Sequence, residues 1–113
     1  MSVDRALSVQ QVKAMLKSGE VFAFFDVREE GEFSTKGHPL FATPLPLSRL
    51  EPRAFALLPD PATRVVLMDS GEEGDNGRAV RAAARLGQMG YSNVVSMDGG
   101  WREWTEKDYP TER

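Results

Sequence analysis

Short apolar runs alternate along this chain with segments of helical periodicity. The runs at 21–25 and 65–68 are continuous and apolar, which is typical of buried strands, and the shorter run at 94–97 predicts the last strand. The run at 44–47 contains two prolines and predicts a short or edge strand. The chain is therefore expected to contain several short strands, most of them buried.

Helices are predicted between these runs. The first covers residues 9–18, because Ser8 and Gln11 form a capping-box pattern in front of it and Gly19 is a natural stop. The others are a short turn at 29–35 and helices at 50–58, 78–89 and 101–107. Strands that alternate with helices, with few hairpin signals, predict an α/β fold with a mainly parallel sheet and helices on both faces.

Length and composition predict one domain over residues 1–113. The chain has a formal net charge of −3, which argues against nucleic-acid binding, and its apolar runs are too short to span a membrane. The first residues lack the apolar core of a signal peptide, so a cytoplasmic location is expected. The chain contains no cysteine and one histidine, which excludes disulfides and any cysteine nucleophile.

The run 65–68, the Gly-rich loop 69–77 and the helix that begins near Arg78 form the most suggestive segment of the chain. Backbone N–H groups converge at such a strand–loop–helix crossover, which favours an anion. The loop nevertheless carries four acidic residues, which would repel an anionic substrate: Asp69, Glu72, Glu73 and Asp75.

Several short motifs, in order, resemble the rhodanese-like domain family over about residues 8–107. The segment from Asp26 to His38 is similar to the family's pattern D-V-R-x-x-x-E-[FY]-x-x-x-G-H, and 42–46 resembles the segment that follows it. The segment from Gly90 to Trp104 resembles the closing patterns G-[FY]-x-N-V and G-G-x-x-x-W.

The resemblance implies a sheet of about five mainly parallel strands and, in active members, thiosulfate sulfurtransferase activity. There, a cysteine after the strand that corresponds to 65–68 carries the transferred sulfur, within a loop C-R-x-G-x-R. In this sequence the cysteine position falls on Asp69 and the last arginine of the loop matches Arg78, with eight residues between them instead of four. We therefore expect a catalytically silent domain with no catalytic residue, no cofactor and no metal, whose partners are other rhodanese domains of the same polypeptide.

Two alternatives remain open. A stand-alone module could bind a partner or a metal through the acidic loop 69–77, whose carboxylates are hard oxygen ligands. A hydrolase or phosphatase could use Asp69 as a nucleophile. A structural role is expected for Asp69, which would bond to loop N–H groups, and also for Asp26 with Arg28 and for His38. Trp101 and Trp104 are expected to pack in the core and cap the last helix, and the arginines at 78, 81 and 85 predict a solvated basic face.

Overall fold

The computed structural model describes residues 6–113, which form helices and short strands in alternation. In chain order the elements are α1 (Val9–Ser18), β1 (Ala23–Asp26), α2 (Glu30–Lys36), β2 (His38–Pro39), β3 (Thr43–Pro44), a 3-10 turn (Leu47–Arg49), α3 (Leu50–Leu57), β4 (Val65–Met68), α4 (Arg78–Gln88), β5 (Val94–Ser96), α5 (Gly100–Glu106) and β6 (Thr111–Glu112). The α/β class expected from the sequence is confirmed.

The central sheet has four parallel strands in the order β3-β1-β4-β5. In register, Phe24 of β1 lies opposite Val66 of β4, which in turn lies opposite Val95 of β5. The family resemblance implied about five strands, one more than this sheet contains. Beyond β5, Leu7 forms one further parallel bridge to Met97. A short antiparallel pair, β2 with β6, lies outside the central sheet and was not expected.

Helices cover both faces of this sheet, as predicted. Because side chains alternate along a strand, Phe24 and Val66 face α1 and α5, whereas Phe25 and Val65 face α3 and α4. Trp104 of α5 lies at the centre of the first face and is fully buried, so its predicted core role is confirmed.

Local signals in the sequence explain most element boundaries. The Ser8–Gln11 capping box is present, and α1 ends at Gly19 with a left-handed φ of 80°. Pro44 lies in an edge strand, where its missing N–H costs no ladder hydrogen bond. The prediction of a buried strand from residue 21 is wrong at its start. Val21 is 91% exposed, because the chain is still leaving the end of α1, and β1 begins only at Ala23.

Within residues 6–113, none of the helices is both long and apolar enough to cross a bilayer.

Candidate functional site

Asp69 lies directly after β4, which is an inner strand of the sheet, between β1 and β5. The loop that follows runs to Gly77, and α4 begins at Arg78. Asp69 and the start of α4 therefore meet at the carboxyl end of the sheet, the edge at which parallel α/β folds place their ligands.

The carboxylate of Asp69 accepts two backbone hydrogen bonds from this loop and helix. Its Oδ1 accepts from the N–H of Gly71 at 3.0 Å, and its Oδ2 accepts from the N–H of Ala79, in the first turn of α4, at 2.9 Å. The residue is 8% exposed. The prediction that Asp69 bonds to loop N–H groups is confirmed, and both of its oxygens are engaged by the chain itself.

Burial raises the pKa of the Asp69 carboxyl above its ordinary value, although the hydrogen bond from the N–H of Ala79 opposes this rise. The nearby charge of Asp75 raises this pKa further, whereas the hydrogen bond from Gly71 and the charge of Arg78 lower it. Both carboxylate oxygens are nevertheless occupied by N–H donors, which makes them less available for nucleophilic attack than those of a free carboxylate.

Asp75 organises the rest of the loop. It accepts from the backbone N–H of Ser70 at 3.1 Å, from the Ser70 hydroxyl at 2.6 Å and from the backbone N–H of Arg78 at 3.1 Å. Its side chain is only 3% exposed. The acidic side chains of the loop therefore differ in position, because Asp75 is buried whereas Glu72 and Glu73 are exposed.

Arg78 joins this loop to α2 through two carboxylates. Its guanidinium donates to Asp75 at 2.8 Å and to Glu32 at 2.8 Å. Hydrogen bonds to Glu32 and Asp75 raise the pKa of Arg78 far above its ordinary range. The hydrogen bond from Arg78 also lowers the pKa of Glu32. For Asp75, burial alone would raise the pKa, but hydrogen bonds from Arg78 and Ser70 outweigh it and hold the pKa well below its usual range.

The glycines at 71, 99 and 100 allow two loops to approach closely. A Cβ added to Gly71 would lie 1.9 Å from the carbonyl oxygen of Gly99, and one added to Gly100 would lie 2.5 Å from that of Asp69. The N–H of Trp101 donates to the carbonyl of Asp69 at 2.9 Å. The G-G pair therefore fixes the start of α5 against the backbone of the Asp69 loop.

A shallow cavity of about 220 Å³ remains between these loops. Its border includes four acidic side chains, those of Asp69, Glu72, Asp75 and Asp98. This border opposes the binding of an anion. Among residues 6–113, no three histidine, cysteine, aspartate or glutamate side chains converge in a way that could hold a metal ion.

Asp26 and Arg28 form a buried ion pair beside the carboxyl end of β1. Arg28 donates to both oxygens of Asp26 and to the carbonyl of Gly37 at 2.8 Å, and both residues are fully buried. The guanidinium also lies 5.1 Å from the ring of Trp101. The expected structural role of this pair is confirmed, because it fixes the end of α2 and the start of α5 relative to the sheet.

His38 likewise has a structural position. Its ring stacks on Phe33 with centroids 3.8 Å apart, and its Nδ1 lies 2.9 Å from the carbonyl of Pro39. On β2, it pairs with Glu112 of β6 and is largely buried. The stacking on α2 and the pairing with β6 support the expected structural role.

The predicted basic face of α4 divides into residues with different partners. Arg78 bonds to Asp75 and Glu32, and Arg85 bonds to Glu51 of α3, whereas Arg81 is exposed. The prediction of a solvated face is therefore wrong for Arg78, whose partners Asp75 and Glu32 the sequence did not identify. The spacing of Asp75 three residues before the start of a helix was the signal available for the first of them.

Comparison with known proteins gives a consistent family. The family model of the rhodanese-like domain matches residues 8–107 of the sequence. A crystal structure of thiosulfate sulfurtransferase from Pseudomonas aeruginosa is similar at 39% identity and a TM-score of 0.83, covering 96% of this chain but only 20% of that one. No curated protein matches the chain.

Two further structures share the fold over most of their own length. A solution structure of a rhodanese-like domain from Anabaena has 25% identity and a TM-score of 0.83, and it covers 97% of this chain and 80% of that chain. The polysulfide-sulfur transferase homodimer from Wolinella succinogenes has 23% identity and a TM-score of 0.78, and it covers 96% of this chain and 78% of that chain. The chain therefore spans about a fifth of the Pseudomonas protein and most of each of these two domains. With the family model matching 100 residues from 8 to 107, the chain belongs to the rhodanese-like domain family, as a member without cysteine.

Proposed function

We propose that this chain is a catalytically silent rhodanese-like domain that serves as a structural or regulatory module of a multidomain thiosulfate sulfurtransferase. The observation that carries the proposal is the Asp69 carboxylate. We infer that it stands where active relatives hold the nucleophile, and it accepts the N–H groups of Gly71 and Ala79. Sulfur transfer needs a polarisable thiolate, which a carboxylate cannot replace.

The size of the similar Pseudomonas protein supports the multidomain part of this proposal. That chain is named a thiosulfate sulfurtransferase, and this chain matches only 20% of its length. A protein of that size has room for several such domains. The partners of this domain would then be other rhodanese-like domains of the same polypeptide, and a cytoplasmic location is the expected setting.

The activity of this chain is tested by thiocyanate formation from thiosulfate and cyanide. We expect the rate to equal the uncatalysed background and to be unchanged in Asp69→Ala. A rate above background would overturn the proposal. The alternative in which Asp69 is the nucleophile of a hydrolase or phosphatase predicts instead a phosphatase activity that Asp69→Ala abolishes.

The role as a module is tested on the full reading frame. We expect it to encode at least one further rhodanese-like domain with a cysteine at the end of the strand that corresponds to β4. In that full-length protein, sulfur transfer should be lost on replacing this cysteine by serine and should stay within about twofold on replacing Asp69 by asparagine. A reading frame without a second such domain would contradict the role as a module.

A further inference from the structure

A groove of about 270 Å³ lies between α1 and the turn that follows β2. It shares no lining residue with the cavity beside Asp69. Leu16 and Leu40 form its apolar sides together with Phe41, and the buried Trp104 lies at its base. Nothing in the proposed function uses this surface.

Phe41 lines this groove, and its backbone conformation is unfavourable. Its φ is 75°, in the left-handed region that favours glycine, and 69% of the residue is exposed. An exposed phenylalanine gains little from burial that could offset this strain. Strained residues of this kind persist where the surrounding structure holds them, and they concentrate at ligand sites.

Two lysines border the same groove. Lys13 and Lys17 are four residues apart on α1, so their side chains lie one helical turn apart on the same face. The Lys13 ammonium is placed at the groove by the ring of Tyr109, whose centroid is 5.0 Å away. Within residues 6–113 neither lysine forms an ion pair, in contrast to Lys107, which pairs with Glu103.

We propose that this groove, the Lys13–Phe41 groove, binds a small amphipathic anion. One carboxylate or sulfonate would lie between the two ammonium groups, and an alkyl or aryl tail would cover Phe41 and the two leucines. An apolar lining with a few charged groups at its border is typical of small-molecule sites, and the volume of about 270 Å³ lies just below their usual range of about 300–1,000 Å³. A free acid of six to ten carbons therefore fits better than a larger partner.

Binding is measured by isothermal titration with octanoate, and the site is located by backbone amide shifts in two-dimensional NMR. We expect saturable binding with shifts at α1 and residues 40–41. Octanol and octylammonium, which have the same tail without the negative charge, should bind at least about tenfold more weakly. Equal binding of all three compounds, or the absence of binding of octanoate, would overturn the proposal.

Charge variants distinguish an effect of the two lysines on binding from an effect of the net charge of the protein. Lys13→Glu with Lys17→Glu should weaken octanoate binding at least about tenfold. The matched control is Arg49→Glu with Arg81→Glu, which makes the same change in net charge at two exposed positions and should leave binding within about twofold. Equal effects of the two pairs would contradict the proposed site.

A third variant tests the ring. Phe41→Gly removes the ring and suits the left-handed φ, so we expect octanoate binding to be lost while the thermal midpoint is kept or raised. Retained binding in Phe41→Gly would overturn the proposed role of the ring. Tighter binding of an acidic peptide with one leucine than of octanoate would also overturn the assignment to a free acid. Asp69→Ala should not alter binding, so this result is independent of sulfur transfer.

Discussion

Replacing Arg78 by methionine tests whether the Arg78 network holds the loop to α2. The substitution keeps an unbranched side chain that is compatible with a helix and removes the charged bonds to Asp75 and Glu32. Asp75 would retain its hydrogen bonds from Ser70 and from the backbone N–H of residue 78, so the contacts that order the loop would be weakened rather than lost.

The exposures of the two carboxylates set the size of the effect. The Glu32 side chain is 29% exposed, and partly exposed ion pairs contribute up to about 1 kcal/mol. The Asp75 side chain is 3% exposed, and a hydrogen bond to a buried charge contributes about 1.5–3 kcal/mol. We expect Arg78→Met to lower the free energy of unfolding by about 3 kcal/mol, which corresponds to a midpoint about 12 °C lower for a domain of this size.

The measurement is urea unfolding followed by circular dichroism, with a double-mutant cycle. Arg81→Met is the matched control, because it makes the same change on an exposed position of α4 and should cost less than about 0.5 kcal/mol. The cycle combines Arg78→Met with Asp75→Asn, and we expect the two effects to be non-additive by more than about 1 kcal/mol. The reasoning is refuted if Arg78→Met costs no more than the control, or if the two effects add.

The remaining predictions concern the loop contacts and the dependence of stability on pH. Gly71→Ala should cost more than about 3 kcal/mol in urea unfolding, because its Cβ would lie 1.9 Å from the carbonyl of Gly99 and its φ is 73°; Gly87→Ala, in open space within α4, should instead stabilise by about 0.5–1 kcal/mol, and equal effects would contradict the close approach. The pKa of Asp75 is lowered in the folded state, so its contribution is complete above the ordinary value of 3.8 and is lost as the pH falls below it; Asp75→Asn should flatten the acid side of the stability profile, and an unchanged slope would count against the network. The pKa of Asp69 is raised in the folded state, so its contribution to stability depends on pH in the opposite direction: it is complete below the ordinary value of 3.8 and is lost as the pH rises through the raised value. Asp69→Asn should remove this decline in stability, and a steeper decline in the variant would contradict the argument.

Local signals in the sequence were sufficient for most of the fold. The capping box at Ser8 and the apolar run Val65–Met68 depend on neighbouring residues, so their patterns predicted the elements correctly. The start of β1 could not be predicted, because valine is common in strands and only the path of the chain after α1 leaves Val21 exposed. Local composition decides whether a segment can form a strand, whereas tertiary position decides where the strand begins.

The site was harder to predict, because its contacts join distant parts of the chain. Glu32 meets Arg78 from 46 positions away, and Gly71 meets Gly99 across the carboxyl end of the sheet. Comparison with the C-R-x-G-x-R pattern could not show these contacts either, since the eight-residue spacing from Asp69 to Arg78 leaves the intervening residues without counterparts. Composition gives the number of carboxylates in the loop but not their orientation, so it could not separate those that point inward from those that are exposed.

The directions of these carboxylates explain why the loop keeps the geometry of an anion site without being open to anions. Glu72 and Glu73 are exposed, whereas Asp69 and Asp75 turn inward and accept N–H groups from Gly71, Ala79 and other loop positions. An external anion would have to displace carboxylates that are covalently attached to the same loop and therefore act at a high effective concentration. It would also have to approach past the exposed glutamates. The loop thus satisfies its own donors, which stabilises the crossover between β4 and α4 and leaves little driving force for a substrate to enter.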